Sequence, residues 1–354
     1  MTNKIKIFLF SIFVLIIIYA LLRYFNRNQI LRIVWYQQQY GEVCSIAFSP
    51  DSQFCVSGGI IWDREQNRKR SAIYFWQVDN GILKFILKGE LDGYVNFLTF
   101  SPNGKLLASS EALWRLSGVC GSIDYLFKLW QISENTAKKL LEIYNENNPV
   151  FSPDGKFLVT CSGLNINLWK VKKNDLIKIS ELTGHTLPVT SIAFSPNGRF
   201  LATGDADGIV KLWRLKDKNL IFTLKGHNNS ISSITFSPNS ILMATGSKDG
   251  IIKLWYIKDN SPKLIQILKK HKNKVNISFS PKGKFLVSCD ENNIIIWEVK
   301  GMKLYIKDIL NFIDKISVLS FSPNGKFLAI GSNKGFVYLY YFCEKMININ
   351  KTKK

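Results

Sequence analysis

One phrase constrains this chain more than any other. Phe-Ser-Pro followed by Asp, Asn or Lys recurs seven times, beginning at Phe48, Phe100, Phe151, Phe194, Phe236, Phe279 and Phe321. Successive phenylalanines lie 52, 51, 43, 42, 43 and 42 residues apart. Self-similarity at a near-constant period of about 40–45 residues marks a repeat architecture, and at that period a propeller blade is the leading candidate.

The phrase has a local mechanism. In Ser-Pro-Asn-Gly, Ser suits the first position of a type I turn and Pro the second, where its fixed φ fits. Gly then takes the left-handed position that closes a hairpin with a bulge. Ser52 and Ser240 replace that glycine in two copies, so strain is expected there. Short apolar runs such as Val189–Phe194 and Phe200–Thr203 flank the turn, which predicts antiparallel strands rather than helices. A third run, Ile209–Leu215, ends near a tryptophan, and a fourth, Leu220–Leu224, leads into the next copy. Four strands per unit and seven units predict an all-β seven-bladed β-propeller of four-stranded antiparallel blades, preceded by one N-terminal hydrophobic helix.

Taken together, Gly184-His185, Gly226-His227, the turn phrase, the strand "LATG" and the closing tryptophan resemble the WD-repeat β-propeller family. The likeness covers roughly residues 29–343. It implies a buried hydrogen-bonded tetrad of His, Ser or Thr, Asp and Trp within a blade. His185, Thr203, Asp207 and Trp213 match that tetrad, as do His227, Thr245, Asp249 and Trp255. The other copies depart from it. Ser57 and Trp76 remain in the first, with Arg70 at the aspartate position; Ser109, Asp124 and Trp130 remain in the second. Thr160 and Trp169 remain in the third, and Ser288 and Trp297 in the sixth beside an isolated His271. The last copy has Ile330, Lys334 and Tyr340 at these places. The family's ring is closed by a strand from the N-terminal end, so Ile30–Tyr36 is expected to pair with Val337–Phe342 and cover an edge open to other chains.

Three segments follow: an N-terminal membrane anchor or signal at 1–26, the propeller at 27–346, and a Lys/Asn-rich tail at 347–354. The anchor expectation rests on Ile7–Leu22, sixteen apolar or nearly apolar residues flanked by Lys4, Lys6 and Arg23. As a helix it would span roughly 24 Å, a little short of a hydrocarbon core of about 30 Å, and snorkelling Lys6 and Arg23 could bridge the difference. A cleaved signal peptide is the rival reading, but Ile18 stands two places before Ala20 where a small residue is wanted. Basic residues flank the segment evenly, so charge alone does not choose the propeller's side. Six cysteines show no pairing spacing and are read as buried thiols, which points to a reducing compartment and weakly favours the cytoplasmic face.

A net charge of +21 raises the question of nucleic acid or anionic lipid. The lysines are spread along the copies, and the one dense run is "REQNRKR" at Arg64–Arg70. A solvated surface accounts for that better than a nucleic-acid site; lipid is a middle case beside a tethered body. The three histidines lie 42 and 44 residues apart, one per blade, and have no reason to converge on a metal. No nucleophile or phosphate-loop motif appears, so no enzyme and no cofactor is expected.

Two insertions carry the functional expectation. From strand Ser or Thr to Trp takes 10 residues at Thr203 and Thr245, but 19 at Ser57 and 21 at Ser109. Blades 1 and 2 should therefore bear long loops at 58–72 and 110–123 on one face. Trp62, Arg64, Arg68, Arg70, Trp114 and Arg115 within them are residue types enriched at binding hot spots. The expectation is a membrane-tethered, non-catalytic protein-interaction scaffold, monomeric apart from the other proteins it binds. The alternatives are an exported propeller with an enzymatic or ligand-binding role, and a basic surface for anionic lipid or nucleic acid.

Overall fold

The computed structural model describes residues 31–114, 124–134, 136–173, 175–258 and 261–344. The anchor segment and the tail lie outside the described residues, and so does the expected N-terminal helix. The described residues form 28 strands in seven four-stranded antiparallel sheets. No helix among them is long and apolar enough to cross a membrane.

Blades 1 to 6 span residues 45–88, 93–144, 147–182, 189–224, 231–269 and 276–311, each with its strands paired in chain order. Blade 7 takes three strands from 316–342 and its outermost from Leu31–Gln38. First strands touch their counterparts in the next blade all the way round, with blade 7 returning to blade 1. The ring is therefore closed, and closed as expected: Leu31 faces Phe342 and Tyr36 faces Tyr338 across an antiparallel ladder. The core is a set of apolar layers between adjacent blades. Leu242, Ile252 and Leu254 of blade 5, for example, pack with Ile277, Leu286 and Trp297 of blade 6.

The repeated turn works as its composition dictates. Ser195 Oγ donates to Asn197 Oδ1 at 2.8 Å and accepts the N–H of Phe200 at 2.9 Å. The same pair of bonds recurs at Ser101, Ser237 and Ser322. Gly104, Gly155, Gly198, Gly283 and Gly325 then adopt φ of 69–71°. Ser52 and Ser240 hold the same left-handed conformation at φ 61° and 60°. Their hydroxyls supply what a glycine could not: Ser240 Oγ accepts the N–H of Asn197 at 3.0 Å, and Ser52 Oγ that of Asn324 at 3.3 Å. Each bond links the turns of neighbouring blades and offsets the backbone strain.

Two expectations need correction. Residues 58–72 are not a loop. Gly58 to Asp63 pair residue for residue with Ile73 to Arg68, making a two-stranded arm that stands beyond the blade. Asp63 Oδ1 caps its tip by accepting the N–H of Glu65 and Gln66 at 3.0 and 3.2 Å, and Asn67 takes the left-handed turn position at φ 48°. Likewise residues 110–113 of the second insertion remain in the ladder, down to Leu113 opposite Asp124. The thiols are the second correction. Cys55, Cys161 and Cys289 are buried, but Cys44 and Cys343 are only partly so, because they sit at strand ends rather than between blades. Cys120 lies outside the described residues.

Candidate functional site

The architecture is pinned by one repeated node. In six blades the tryptophan Nε1 donates to the hydroxyl of the second-strand Ser or Thr: Trp76 to Ser57, Trp130 to Ser109, Trp169 to Thr160, Trp213 to Thr203, Trp255 to Thr245 and Trp297 to Ser288, all at 2.7–3.0 Å. The hydroxyl's own proton then needs an acceptor. In blades 4, 5 and 6 that acceptor is His Nε2, at 2.7, 2.9 and 2.7 Å for His185, His227 and His271. A proton on Nδ1 satisfies the rest of the chain, since Nδ1 faces an aspartate in each case. Burial pushes all three imidazoles below their ordinary range against the opposing pull of those carboxylates, so they are neutral near pH 7.

Which aspartate takes part differs from the sequence expectation. Thr203, His185 and Trp213 are joined by Asp205, not Asp207: Asp205 Oδ2 lies 2.7 Å from His185 Nδ1. Its Oδ1 also accepts the N–H of Asp207 and Ile209 at 3.0 and 2.9 Å. Asp207 points out from the turn and is exposed. The reason is the two-residue period of a strand, which puts residues 203 and 205 on one face. Blade 6 follows the same rule, with Asp290 two residues after Ser288 and 3.1 Å from His271 Nδ1. His271 is thus not isolated. In blade 5 the equivalent position is Ser247, too short to reach the ring, and Asp249 comes round the turn instead to 3.3 Å. Asp205→Ala should cost about 2–3 kcal/mol in urea unfolding, because it strands a buried imidazole donor and two backbone donors. Asp207→Ala should stay within about 0.5 kcal/mol.

Other blades fill the histidine's place differently. Ser57 donates to Gln39 Oε1 at 2.6 Å, and Thr160 donates to Glu146, which Asn167 also contacts. Blade 2 diverges most. Glu111 stands two residues after Ser109, at the aspartate position, and with no histidine beside it takes Lys128 Nζ at 2.8 Å and the Ser71 hydroxyl of blade 1 at 2.7 Å. Asp124 is not at this node; it closes the ladder opposite Leu113. Arg70 is not at the blade 1 node either. It pairs with Asp63 at 3.1 Å and with Gln66 at 2.8 Å within the arm. In blade 7, Ile330 and Tyr340 stand at the node positions and pack as an apolar pair instead, and Lys334 reaches Asp314 at 2.8 Å.

The proposed partner residues fall into two groups. Trp62 and Trp114 are exposed, and each lies against a tyrosine rather than against the other: Trp62 on Tyr40 at 6.4 Å and Trp114 on Tyr94 at 6.2 Å between ring centroids. Arg64 is exposed at the tip of the arm. Arg68 and Arg70 are partly exposed and already paired within this chain, Arg68 with Asp92 at 3.3 Å and the Glu90 carbonyl at 3.1 Å. Their guanidinium groups brace the arm. Arg115 lies outside the described residues.

Sequence reasoning missed the cavity these arms surround. At this mouth of the channel a pocket of about 650 Å³ is lined by Glu42, Lys69, Tyr94, Trp114, Lys274 and Glu291, among others. Below it, polar residues of the first strands bond from blade to blade. Thr190 donates to the Ile231 carbonyl at 2.6 Å, Asn276 to that of Ser317 at 2.8 Å, and Ser317 to that of Val43. At the corresponding place in blade 1 stands Cys44, whose sulfur turns back to the Glu42 carbonyl at 3.8 Å. The pocket opens at this break. Burial, and then the Glu42 charge, push the Cys44 thiol up to about 12, so it is no nucleophile near pH 7. Among the described residues no group of three His, Cys, Asp or Glu is gathered as a metal site.

A model of the "WD domain, G-beta repeat" matches residues 32–64, 81–131, 149–170, 177–214, 218–256, 262–298 and 311–340. The chain is similar to "Small ribosomal subunit protein RACK1" of Schizosaccharomyces pombe, 30% identical over 133 residues, 35% of this chain and 38% of that protein. It is similar to "Pre-rRNA-processing protein IPI3" of Mycosarcoma maydis, 27% identical over 208 residues, 52% of this chain and 33% of that one. "Target of rapamycin complex subunit wat1" of Schizosaccharomyces pombe is 28% identical over 100 residues, 28% of this chain and 32% of its own length. The chain thus spans about a third of the length of the curated relatives it matches. With seven matched segments spread over a closed ring of seven blades, the chain belongs to the WD domain, G-beta repeat family.

Proposed function

We propose that this protein is a non-catalytic platform for protein–protein interaction, held at a membrane by Ile7–Leu22, that receives its partner on the face carrying the blade 1 arm and Trp114. The observation that carries the reading is the channel-mouth pocket with two exposed tryptophans beside it, each backed by a tyrosine. Aromatic anchors at the rim of a concave, partly charged cavity are what binding hot spots are made of. Two relatives are by name a ribosomal subunit protein and a complex subunit, which agrees with an assembly role. The unactivated Cys44 thiol speaks against covalent chemistry in the pocket. The membrane part rests on the sequence of the N-terminal segment alone.

Trp62→Ala with Trp114→Ala should reduce partner recovery in cross-linked pull-downs by roughly tenfold, the scale of one hot-spot residue. The urea midpoint should hardly move, because both rings are more than a third exposed. Unchanged recovery would remove the site; a large loss of stability would make the tryptophans structural. The mixed lining of Glu42, Glu291, Lys69 and Lys274 favours a second reading, a small polar ligand in the pocket. It predicts thermal stabilisation by such a ligand that disappears in Lys274→Ala but survives in the tryptophan variant.

A further inference from the structure

The outer strands of blades 5, 6 and 7 carry an unusual load of exposed apolar side chains. Ile267 lies on blade 5, Tyr305, Ile309 and Ile313 on and just after blade 6, and Ile33 and Tyr36 on the closing strand of blade 7. Ile313 is 96% exposed, a state an isoleucine does not favour in water. These edges form one wall. Gln266 of blade 5 bonds both the N–H and the carbonyl of Leu304 in blade 6, at 2.9 and 3.0 Å. Phe312 then packs on Tyr338 and Tyr340 of blade 7 at 5.3 and 6.0 Å. Between the apolar residues stand exposed Lys263, Lys269 and Lys303. Apolar side chains interleaved with lysines suit the boundary between acyl chains and anionic headgroups.

The chain's own connectivity says which surface is near. Eight residues lie between Leu22, the last of the apolar segment, and Leu31, the first of the closing strand, which makes nine steps along the chain. Fully extended they reach about 30 Å. If Ile7–Leu22 sits in a bilayer, a premise this inference takes from the proposed function, the edge held close to that bilayer is blade 7's. We infer that the wall of blades 5 to 7 rests on an anionic lipid surface, with Tyr305, Ile309 and Ile313 entering the interface, so that the ring stands edge-on. The channel mouth would then face sideways, open to a soluble partner.

The full chain is tested in vesicles of phosphatidylcholine, with and without phosphatidylserine. The photo-crosslinking residue p-benzoylphenylalanine replaces Ile309, Ile313 or, as a control on blade 3, the exposed Ile177. Lipid adducts at positions 309 and 313 should exceed those at 177 by roughly tenfold with phosphatidylserine present, and should decline with added salt. Adducts to a second copy of the chain, or lipid adducts no greater than at 177, would overturn the inference. The tether is read separately, by flotation after a high-salt wash that removes a basic surface contact but not an anchor. A chain that floats without adducts keeps its tether and loses the wall. One that washes off yet crosslinks to anionic vesicles at low salt keeps the wall and loses the tether.

Discussion

Replacing Lys128 with methionine should lower the unfolding free energy by about 3–5 kcal/mol. Lys128 and Glu111 are 1% and 2% exposed, and their charged atoms lie 2.8 Å apart. Among the described residues, the only other partner of the carboxylate is the Ser71 hydroxyl on blade 1. Space for water is short, since a Cβ on Gly89 would already sit 1.8 Å from Ser71 Oγ. Methionine fills the volume of the lysine stem but leaves a buried carboxylate without its counter-charge. Desolvation then dominates, because a lost ion pair in a low-dielectric site is not replaced by solvent. The double variant Lys128→Met, Glu111→Leu should recover most of the loss, since exchanging both charges for apolar groups is often neutral. Urea unfolding of the two variants decides the matter. A single variant as stable as the parent would mean that water reaches Glu111 after all.

Trp35→Ala should be as damaging, at about 3–5 kcal/mol, the usual range for a large buried aromatic. Trp35 belongs to the closing strand but packs into blade 1 with Val43, Trp76 and Val78. Its Nε1 donates to the Val78 carbonyl at 2.8 Å. Its ring lies so close over Gly81 that a Cβ there would come within 2.8 Å of it. One side chain thus fastens the last strand of blade 7 onto the first blade. Trp35→Phe should retain most of the packing and lose one hydrogen bond, about 1 kcal/mol. Beyond the stability loss, Trp35→Ala should release the strand often enough to bare the edge of Phe336–Phe342, a template for other chains. Size-exclusion chromatography with light scattering should show concentration-dependent oligomers in the alanine variant and not in the phenylalanine one. A monomeric alanine variant would show that ladder bonds alone hold the seam.

The relation between the two networks explains why blade 2 can do without a histidine. The Trp-to-hydroxyl bond recurs in six blades, while the acceptor behind it is Gln39, Glu146 or one of three histidines in five of them. What the fold requires at this point is a buried acceptor for one hydroxyl proton, and several side chains meet that need. In blade 2 the carboxylate at the same face position has turned to the neighbouring blade and become an inter-blade clasp.

The sequence by itself determined the number of blades, the antiparallel hairpins, the phase of the repeats and the strand that seals the ring. Those features are written in turn residues and in alternating apolar runs, which act over a few neighbours and so can be read from neighbours. It also held a hint that the blade 1 insertion is a paired arm, in Ile60 and Ile61 ahead of the turn-forming Asp63 and Asn67, though length alone suggested a loop. Only the tertiary structure decided that Asp205 rather than Asp207 serves His185, that His271 stands between Ser288 and Asp290, that Arg68 and Arg70 brace the arm, and that a pocket opens beside Cys44. Each of these depends on how far a side chain reaches across strands or between blades. Side-chain reach selects the partner there, and spacing along the chain does not encode it.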